Sequence, residues 1–371
     1  MPLRVLYLTD SLSDLDGVGR YTLSLLRALE AEAPGFEPRI LLARKHRPTS
    51  TALPAHWPVQ VALPPDYFFY MSRARFWPSL ALASLRVARA ARGCDLVHAI
   101  KDYPHNLVGV VGAKLAGKPC VATAHGTYSV QPLLDPRHAS LARWTYRRVA
   151  AFVSVSAYTR RRMLAVCPPD VLGPERVHVI PNAVDAELYA HAPELGTRPW
   201  HGKRYTLTIG EVKERKGHHV ALAAFVRAAA RFPALEHFVV GHSVRDAYFA
   251  ELQQLVADAG LAARVHFLGN VSEAEKIDLL QRATVFLHTP VHARDGGFEG
   301  FGIVYLEAAA CGVAAIGTRE SGAEDAITHE VTGLLADAGP TRNVPAGGST
   351  TQVDLPFKVR PAFHGSAHTN R

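Results

Sequence analysis

The chain has 371 residues, more than a single hydrophobic core ordinarily organises, so two domains are expected. Hydrophobic residues at 48% and charged residues at 20% are the proportions of a soluble globular protein, and no apolar run reaches the length of a membrane span. The net charge of +8 is lopsided, because residues 1–190 hold 23 of the 41 Lys and Arg but only 14 of the 33 Asp and Glu. A basic first half points to an anionic partner (lipid headgroups, a phospholipid-linked acceptor or nucleic acid) or simply to a solvated basic surface. Cys94, Cys120, Cys167 and Cys311 have neither metal-ligand nor redox spacing, which predicts reduced thiols in a cytosolic setting. Residues 1–9 lack the basic start and apolar core of a signal peptide.

In chain order, Arg4–Thr9 reads as a short buried strand, followed by a Ser/Asp/Gly loop and a helix over Tyr21–Ala31 with apolar spacing at Leu25, Leu26 and Leu29. The order repeats with a strand at Asp95–Ile100, a helix at Leu107–Ala116, strands at Pro119–His125 and Ala151–Val155, and a helix near Thr159–Ala165. Between them, residues 67–92 join Tyr67-Phe68-Phe69-Tyr70-Met71 to Arg73, Arg75, Arg86, Arg89 and Arg92. That is either an ordinary sheet-covering helix or a basic helix lying on an anionic membrane. Val177–Asn182 closes this half, and residues 191–204, rich in Pro, Gly and His, read as a linker. A second series follows, with strands at 205–209, 237–240, 264–268, 285–288 and 314–316, and helices at 220–232, 248–259 and 273–282. Alternating short strands and helices predict α/β architecture, with two doubly wound parallel sheets facing each other across a cleft and ligand beyond the carboxyl ends of the strands. The expected domains are 1–190 and 205–339, leaving 340–371 as a disordered tail rich in Pro, Gly, Ser and His.

Five segments carry chemistry. Asp16-Gly17-Val18-Gly19-Arg20-Tyr21 follows the first strand; Thr22 occupies the third glycine position of a dinucleotide fingerprint, and the preceding loop is too long for that turn. Ala124-His125-Gly126-Thr127 ends a strand, and Ile180-Pro181-Asn182-Ala183-Val184-Asp185 closes the first half. Gly210-Glu211-Val212-Lys213-Glu214-Arg215-Lys216-Gly217 follows the first strand of the second half. Last comes Gly297-Phe298-Glu299-Gly300-Phe301-Gly302-Ile303-Val304-Tyr305-Leu306-Glu307, two carboxylates separated by a glycine turn and a helix start. Glycines there let backbone amides approach a ligand, and a helix N-terminus favours anions, which suits the diphosphate and sugar of an activated sugar. Each segment taken alone also fits a plain turn, strand end or solvated charge cluster.

In this order the five resemble retaining glycosyltransferases of family 4, with the GT-B fold, over roughly residues 1–338. The resemblance implies that His125 lies over the donor sugar, that Glu299 grips sugar hydroxyls, and that Lys216 neutralises the phosphates. It gives Gly17, Gly19, Arg215, Phe301, Gly302, Ile303 and Glu307 to donor binding, with Glu307 on the ribose. It implies neither a metal nor another cofactor. Two features depart from it. Glu211 stands where the family has Arg, with Lys213 or Arg215 as alternative sources of the second positive charge. The family's C-terminal helices are also not recognisable, so the end reads as truncated. The function implied is transfer of a sugar from a nucleotide diphosphate sugar to a polysaccharide or lipid-linked hydroxyl in the bacterial cytoplasm, peripherally at the inner membrane face, without nucleic acid. The alternative is a weakened relative serving as a binding or partner subunit.

Overall fold

The computed structural model describes residues 2–44, 53–65, 71–191 and 193–337. Within it the chain divides into two compact units, Met1–Val184 with Arg294–Ile303, and Asp185–Ala293 with Val304 onward.

The first unit holds strands β1 (Arg4–Thr9), β2 (Glu37–Ala43), β3 (Val59–Leu63), β4 (Leu96–Ala99), β5 (Cys120–Ala124), β6 (Ala151–Ser154) and β7 (Val177–Val179). They form one parallel sheet in the order β3-β2-β1-β4-β5-β6-β7. Its helices are α1 (Gly17–Glu32), α2 (Arg73–Ala91), α3 (His105–Leu115), α4 (Thr127–Leu134), α5 (Ala139–Tyr146) and α6 (Ala157–Val166). Alternate side chains of β1 enter opposite cores, because successive residues of a strand point to opposite faces. Val5 and Tyr7 pack with Leu23 and Leu26 of α1, whereas Leu6 and Leu8 pack with α2 and α3 through Leu80, Val87, Leu107 and Val108. Burial on both faces explains the near-continuous apolar run that makes β1 legible.

The second unit repeats the pattern with β8 (Arg204–Ile209), β9 (Leu235–Val240), β10 (Val265–Gly269), β11 (Val285–Leu287), β12 (Ala315–Thr318) and β13 (Gly333–Ala336). Their parallel order is β10-β9-β8-β11-β12-β13. Its helices are α7 (Ala186–Ala190), α8 (His218–Arg231), α9 (Ala247–Asp258), α10 (Glu273–Arg282), α11 (Ile303–Ala310) and α12 (Ala323–Ala326), with α11 beginning one residue before the chain leaves the first unit. In each sheet the strand order reverses beside the first strand, between β1 and β4 and between β8 and β11. Such switch points open crevices at the strands' carboxyl ends.

Several expectations change. β2 and β3 were not recognised, because Pro38 and the Gln60 in β3 interrupt runs of only seven and five residues. Gly17–Arg20 is not a loop but the first turn of α1, where Asp16 caps the helix by accepting from the Gly19 amide at 2.8 Å. Of the stretch expected as a linker at 191–204, residues 198–200 pack within the second unit: Trp200 is buried, its Nε1 donates to Asp278 at 2.7 Å, and Arg198 pairs with Glu275 at 2.9 Å. Residues 294–303, expected in the later domain, belong to the first unit. The tail at 340–371 and the aromatic run Tyr67–Tyr70 lie outside the described residues.

Candidate functional site

In the first unit the polar residues gather at the ends of β1, β4 and β5. Asp10, directly beyond β1, and Lys101, two residues beyond β4, form an ion pair at 2.7 Å with 13% and 15% of their side chains exposed. Burial alone would raise the Asp10 carboxyl, but Lys101 and His105 beside it hold it below the usual carboxylate range. The His125 ring donates through Nε2 to the Ile100 carbonyl at 2.9 Å, and the Tyr21 ring meets it edge-on at 4.9 Å. Its main-chain amide donates to Asp102 at 3.2 Å. Burial pushes the imidazole's pKa down, so it is neutral, with the Nε2 proton fixed by the carbonyl. Asp102 is buried and also accepts from Ser129; its burial raises its carboxyl pKa.

The late segment Arg294–Ile303 lies against this strand end. Thr127 Oγ1 donates to the Phe298 carbonyl at 2.8 Å and accepts from the Phe298 amide at 2.9 Å, across 171 positions of sequence. Ser156 and Thr159 both donate to the Gly300 carbonyl, at 2.5 and 3.2 Å. Phe298 is 1% exposed in the unit's core, edge-on to Tyr158. A Cβ on Gly300 would stand 1.8 Å from the His125 carbonyl oxygen, so only glycine permits this crossing. Glu299, buried at 9% exposure, is therefore carried beside His125.

In the second unit the loop after β8 is fixed from both ends. Gly217 adopts φ +67, and a Cβ there would stand 1.7 Å from the Thr289 carbonyl oxygen. Thr289 Oγ1 donates to the Gly217 carbonyl at 2.9 Å, and the Val291 amide to that of Arg215 at 3.0 Å. The Lys216 side chain runs over Gly210, its Cδ 3.8 Å from where a Gly210 Cβ would be. Glu211 pairs through its carboxylate with Lys213 at 3.0 Å, and His218 Nε2 donates to its carbonyl at 3.1 Å. Burial drives the His218 pKa down to about 3, so this bond is made by a neutral ring. The second positive charge sought in Lys213 is therefore engaged by Glu211 itself.

Glu307 is more enclosed than the sequence suggested. It is 1% exposed, and its Oε1 accepts from Tyr189 OH at 2.9 Å and faces Lys276 Nζ at 3.0 Å.

The structure thus brings His125 together with Glu299, Phe301, Gly302 and Ile303 in one unit, and places Arg215, Lys216 and Glu307 in the other. Gly19 gives its amide to Asp16, and a Cβ on it would stand 2.0 Å from the Ser13 carbonyl oxygen, so its packing within the unit already accounts for a glycine there; Gly17 meets no such neighbour. Sequence reasoning missed Asp10, Lys101, Asp102, Tyr189 and Lys276. The first three were findable as polar residues within three positions of the ends of apolar strands; the last two show themselves only through packing. Among the described residues no three His, Cys, Asp or Glu side chains come together to hold a metal, and no helix is long and apolar enough to cross a membrane.

Residues 15–188 match the family described as Glycosyltransferase Family 4, and residues 197–343 the one described as Glycosyl transferases group 1. The chain is 32% identical over 257 residues to a phosphatidyl-myo-inositol mannosyltransferase of Mycobacterium tuberculosis, covering 69% of this chain and 62% of that protein. It is 28% identical over 250 residues to a GDP-mannose-dependent alpha-(1-6)-phosphatidylinositol monomannoside mannosyltransferase of Mycolicibacterium smegmatis, covering 63% and 61%. The match thus spans about three fifths of these relatives' length. In solved structures the fold is similar to that of HepE from Anabaena, determined in complex with UDP and glucose, with a TM-score of 0.68, 21% identity, and 91% and 87% of the two chains covered. The chain belongs to glycosyltransferase family 4, and its two doubly wound parallel sheets are those of the GT-B fold.

Proposed function

We propose that the protein is a glycosyltransferase that moves a sugar from a nucleotide diphosphate sugar to a hydroxyl of a lipid-linked or glycan acceptor, keeping the anomeric configuration. The observation that carries this is the seating of the Phe298–Gly300 segment on the His125 strand end, which keeps together the two segments to which we assign the sugar. A neutral His125 with its Nε2 proton engaged leaves its other face for a sugar, and Glu299 supplies an acceptor for hydroxyls. Lys216 and Arg215 are the cations for the departing diphosphate, aided by the amides at the start of α11. In the transfer, the anomeric carbon's bond to the diphosphate oxygen breaks and its electron pair leaves with the nucleotide. A bond to the acceptor oxygen forms on the same face, and the acceptor's proton passes to the departing phosphate. No metal is required in this scheme.

The relatives' names make GDP-mannose and phosphatidylinositol the first pair to try. Peripheral contact with an anionic membrane fits α2, which exposes Trp77, Leu82 and Leu85 at 53%, 49% and 60% beside Arg73, Arg75 and Arg89. The test is incubation with UDP-, GDP- and ADP-sugars and candidate acceptors, reading nucleotide release and the product's anomeric configuration by NMR. Release without transfer of configuration-retained sugar to any acceptor contradicts the proposal. A second reading, a weakened binding subunit, rests on Glu211, a carboxylate where the family carries a cation. It predicts neither release nor donor binding.

A further inference from the structure

Lys276 is the least expected charge in the second unit. It sits in the second turn of α10, is 5% exposed, and lysine is almost never buried so deeply without partners. Its partners come from three separate elements. Nζ lies 3.0 Å from Glu307 Oε1 on α11, 2.7 Å from Glu273 Oε1 on its own helix, and 3.1 Å from Tyr189 OH on α7. Tyr189 closes the cluster by donating to Glu307 at 2.9 Å, and the ammonium lies 5.1 Å from its ring centroid. Tyr189 is itself 3% exposed. A side chain of α10 also ties down the main chain of α7, since Gln281 Nε2 donates to the Tyr189 carbonyl at 2.8 Å.

Two donors from different elements thus converge on a single carboxylate oxygen of Glu307. A buried carboxylate left without partners is costly and turns toward water. Held by an ammonium and a phenol on one oxygen, that of Glu307 has a fixed orientation. A fixed orientation is what a carboxylate needs to accept hydrogen bonds from paired hydroxyls.

We propose that Lys276 is a positioning residue for Glu307, aligning its carboxylate for the 2′- and 3′-hydroxyls of the donor's ribose, with Tyr189 as its second anchor. This rests on the reading of the protein as a nucleotide-sugar enzyme. It adds how the chain would tell a ribonucleotide from a sugar-modified one.

The experiment titrates the full chain calorimetrically with UDP, GDP, ADP and their 2′,3′-dideoxy forms. The wild type is expected to bind its preferred ribonucleotide at least about tenfold more tightly than the dideoxy form. Lys276→Met weakens the ribonucleotide alone, bringing the two within about threefold, and Lys276→Arg restores most of the difference. A merely structural lysine would weaken both forms equally or neither. If circular dichroism shows Lys276→Met unfolded, Tyr189→Phe carries the test, because it removes one donor to Oε1 and keeps the ring; it should lower the ratio a few-fold. A ratio preserved in folded Lys276→Met, or in Tyr189→Phe where that variant decides, or a wild type indifferent to the ribose hydroxyls, overturns the assignment while leaving the enzyme reading standing. A wild type that binds none of UDP, GDP and ADP overturns the enzyme reading itself, and this inference with it.

Discussion

Lys216 and Lys213 lie three residues apart, yet their surroundings divide their roles. Lys213 is half exposed and tied to Glu211, whereas Lys216 lies over Gly210 at the switch point of the second sheet. A charge-assisted contact to phosphate contributes roughly 1.5–3 kcal/mol, so Lys216→Ala should lower kcat/KM at least about tenfold, with Lys213→Ala falling much less. Equal losses would mean that the phosphate site is diffuse. Glu211 is already neutralised by its partner, so Glu211→Arg should change donor affinity by less than about tenfold, as expected when an exposed ion pair is exchanged for a cation at high effective dielectric. A larger gain would favour the weakened-subunit reading. Glu299 and Glu307 should separate in calorimetry with a bare nucleoside diphosphate, Glu299→Gln leaving affinity nearly intact and Glu307→Gln reducing it. The amide is preferable to alanine at 307, since alanine would strand the buried Lys276. Loss of nucleotide binding in Glu299→Gln would show the roles to be misassigned.

At the scale of elements, α10 is the frame of the second unit's polar interior. Asp278, 1% exposed, accepts from Trp200 Nε1 at 2.7 Å, His201 Nε2 at 2.8 Å and Arg282 Nε at 2.7 Å. Burial opposes its ionisation, but these donors hold the carboxyl below its usual range. Asp278→Ala leaves the buried indole donor unmatched and should cost about 2–4 kcal/mol in urea unfolding. A cost below about 1 kcal/mol would mean that water replaces the carboxylate. The same cluster shows where the sequence stopped being legible. α10 was readable to both ends because Ser272 and Glu275 form a capping box around an apolar period. The segment tied to it by Trp200 was not, because Pro, Gly and His signal a loop regardless of whether that loop packs. Likewise the turn at Gly300 was legible as a turn, but its seat on His125 depends on an approach between residues far apart in sequence. Lys276 and Tyr189 carry no local signal, since a lysine on an amphipathic helix ordinarily faces water.

At the scale of the molecule, buried histidines link stability to pH. Burial pushes His98 down to about 3, and His218 and His237 also to about 3, from an ordinary value of 6.5. A depressed folded-state pKa stabilises fully above the unfolded value and loses that contribution as pH falls from 6.5 toward 3, because the unfolded chain takes up protons that the folded one refuses. Each such residue contributes a slope of about 1.4 kcal/mol per pH unit in that window. His98 lies in the first unit and the other two in the second, so both units should weaken between pH 6.5 and 5. Urea midpoints flat across that range would contradict the burial of these rings.

The most direct test of the whole account is the rate of nucleotide release from GDP-mannose and its UDP and ADP counterparts, with phosphatidylinositol vesicles and a panel of glycan acceptors in turn, compared between the wild type and Glu299→Gln. The account predicts acceptor-dependent release with at least one donor in the wild type, reduced at least about tenfold in the variant. Release that is absent with every donor, or that is unchanged by the substitution, would contradict it.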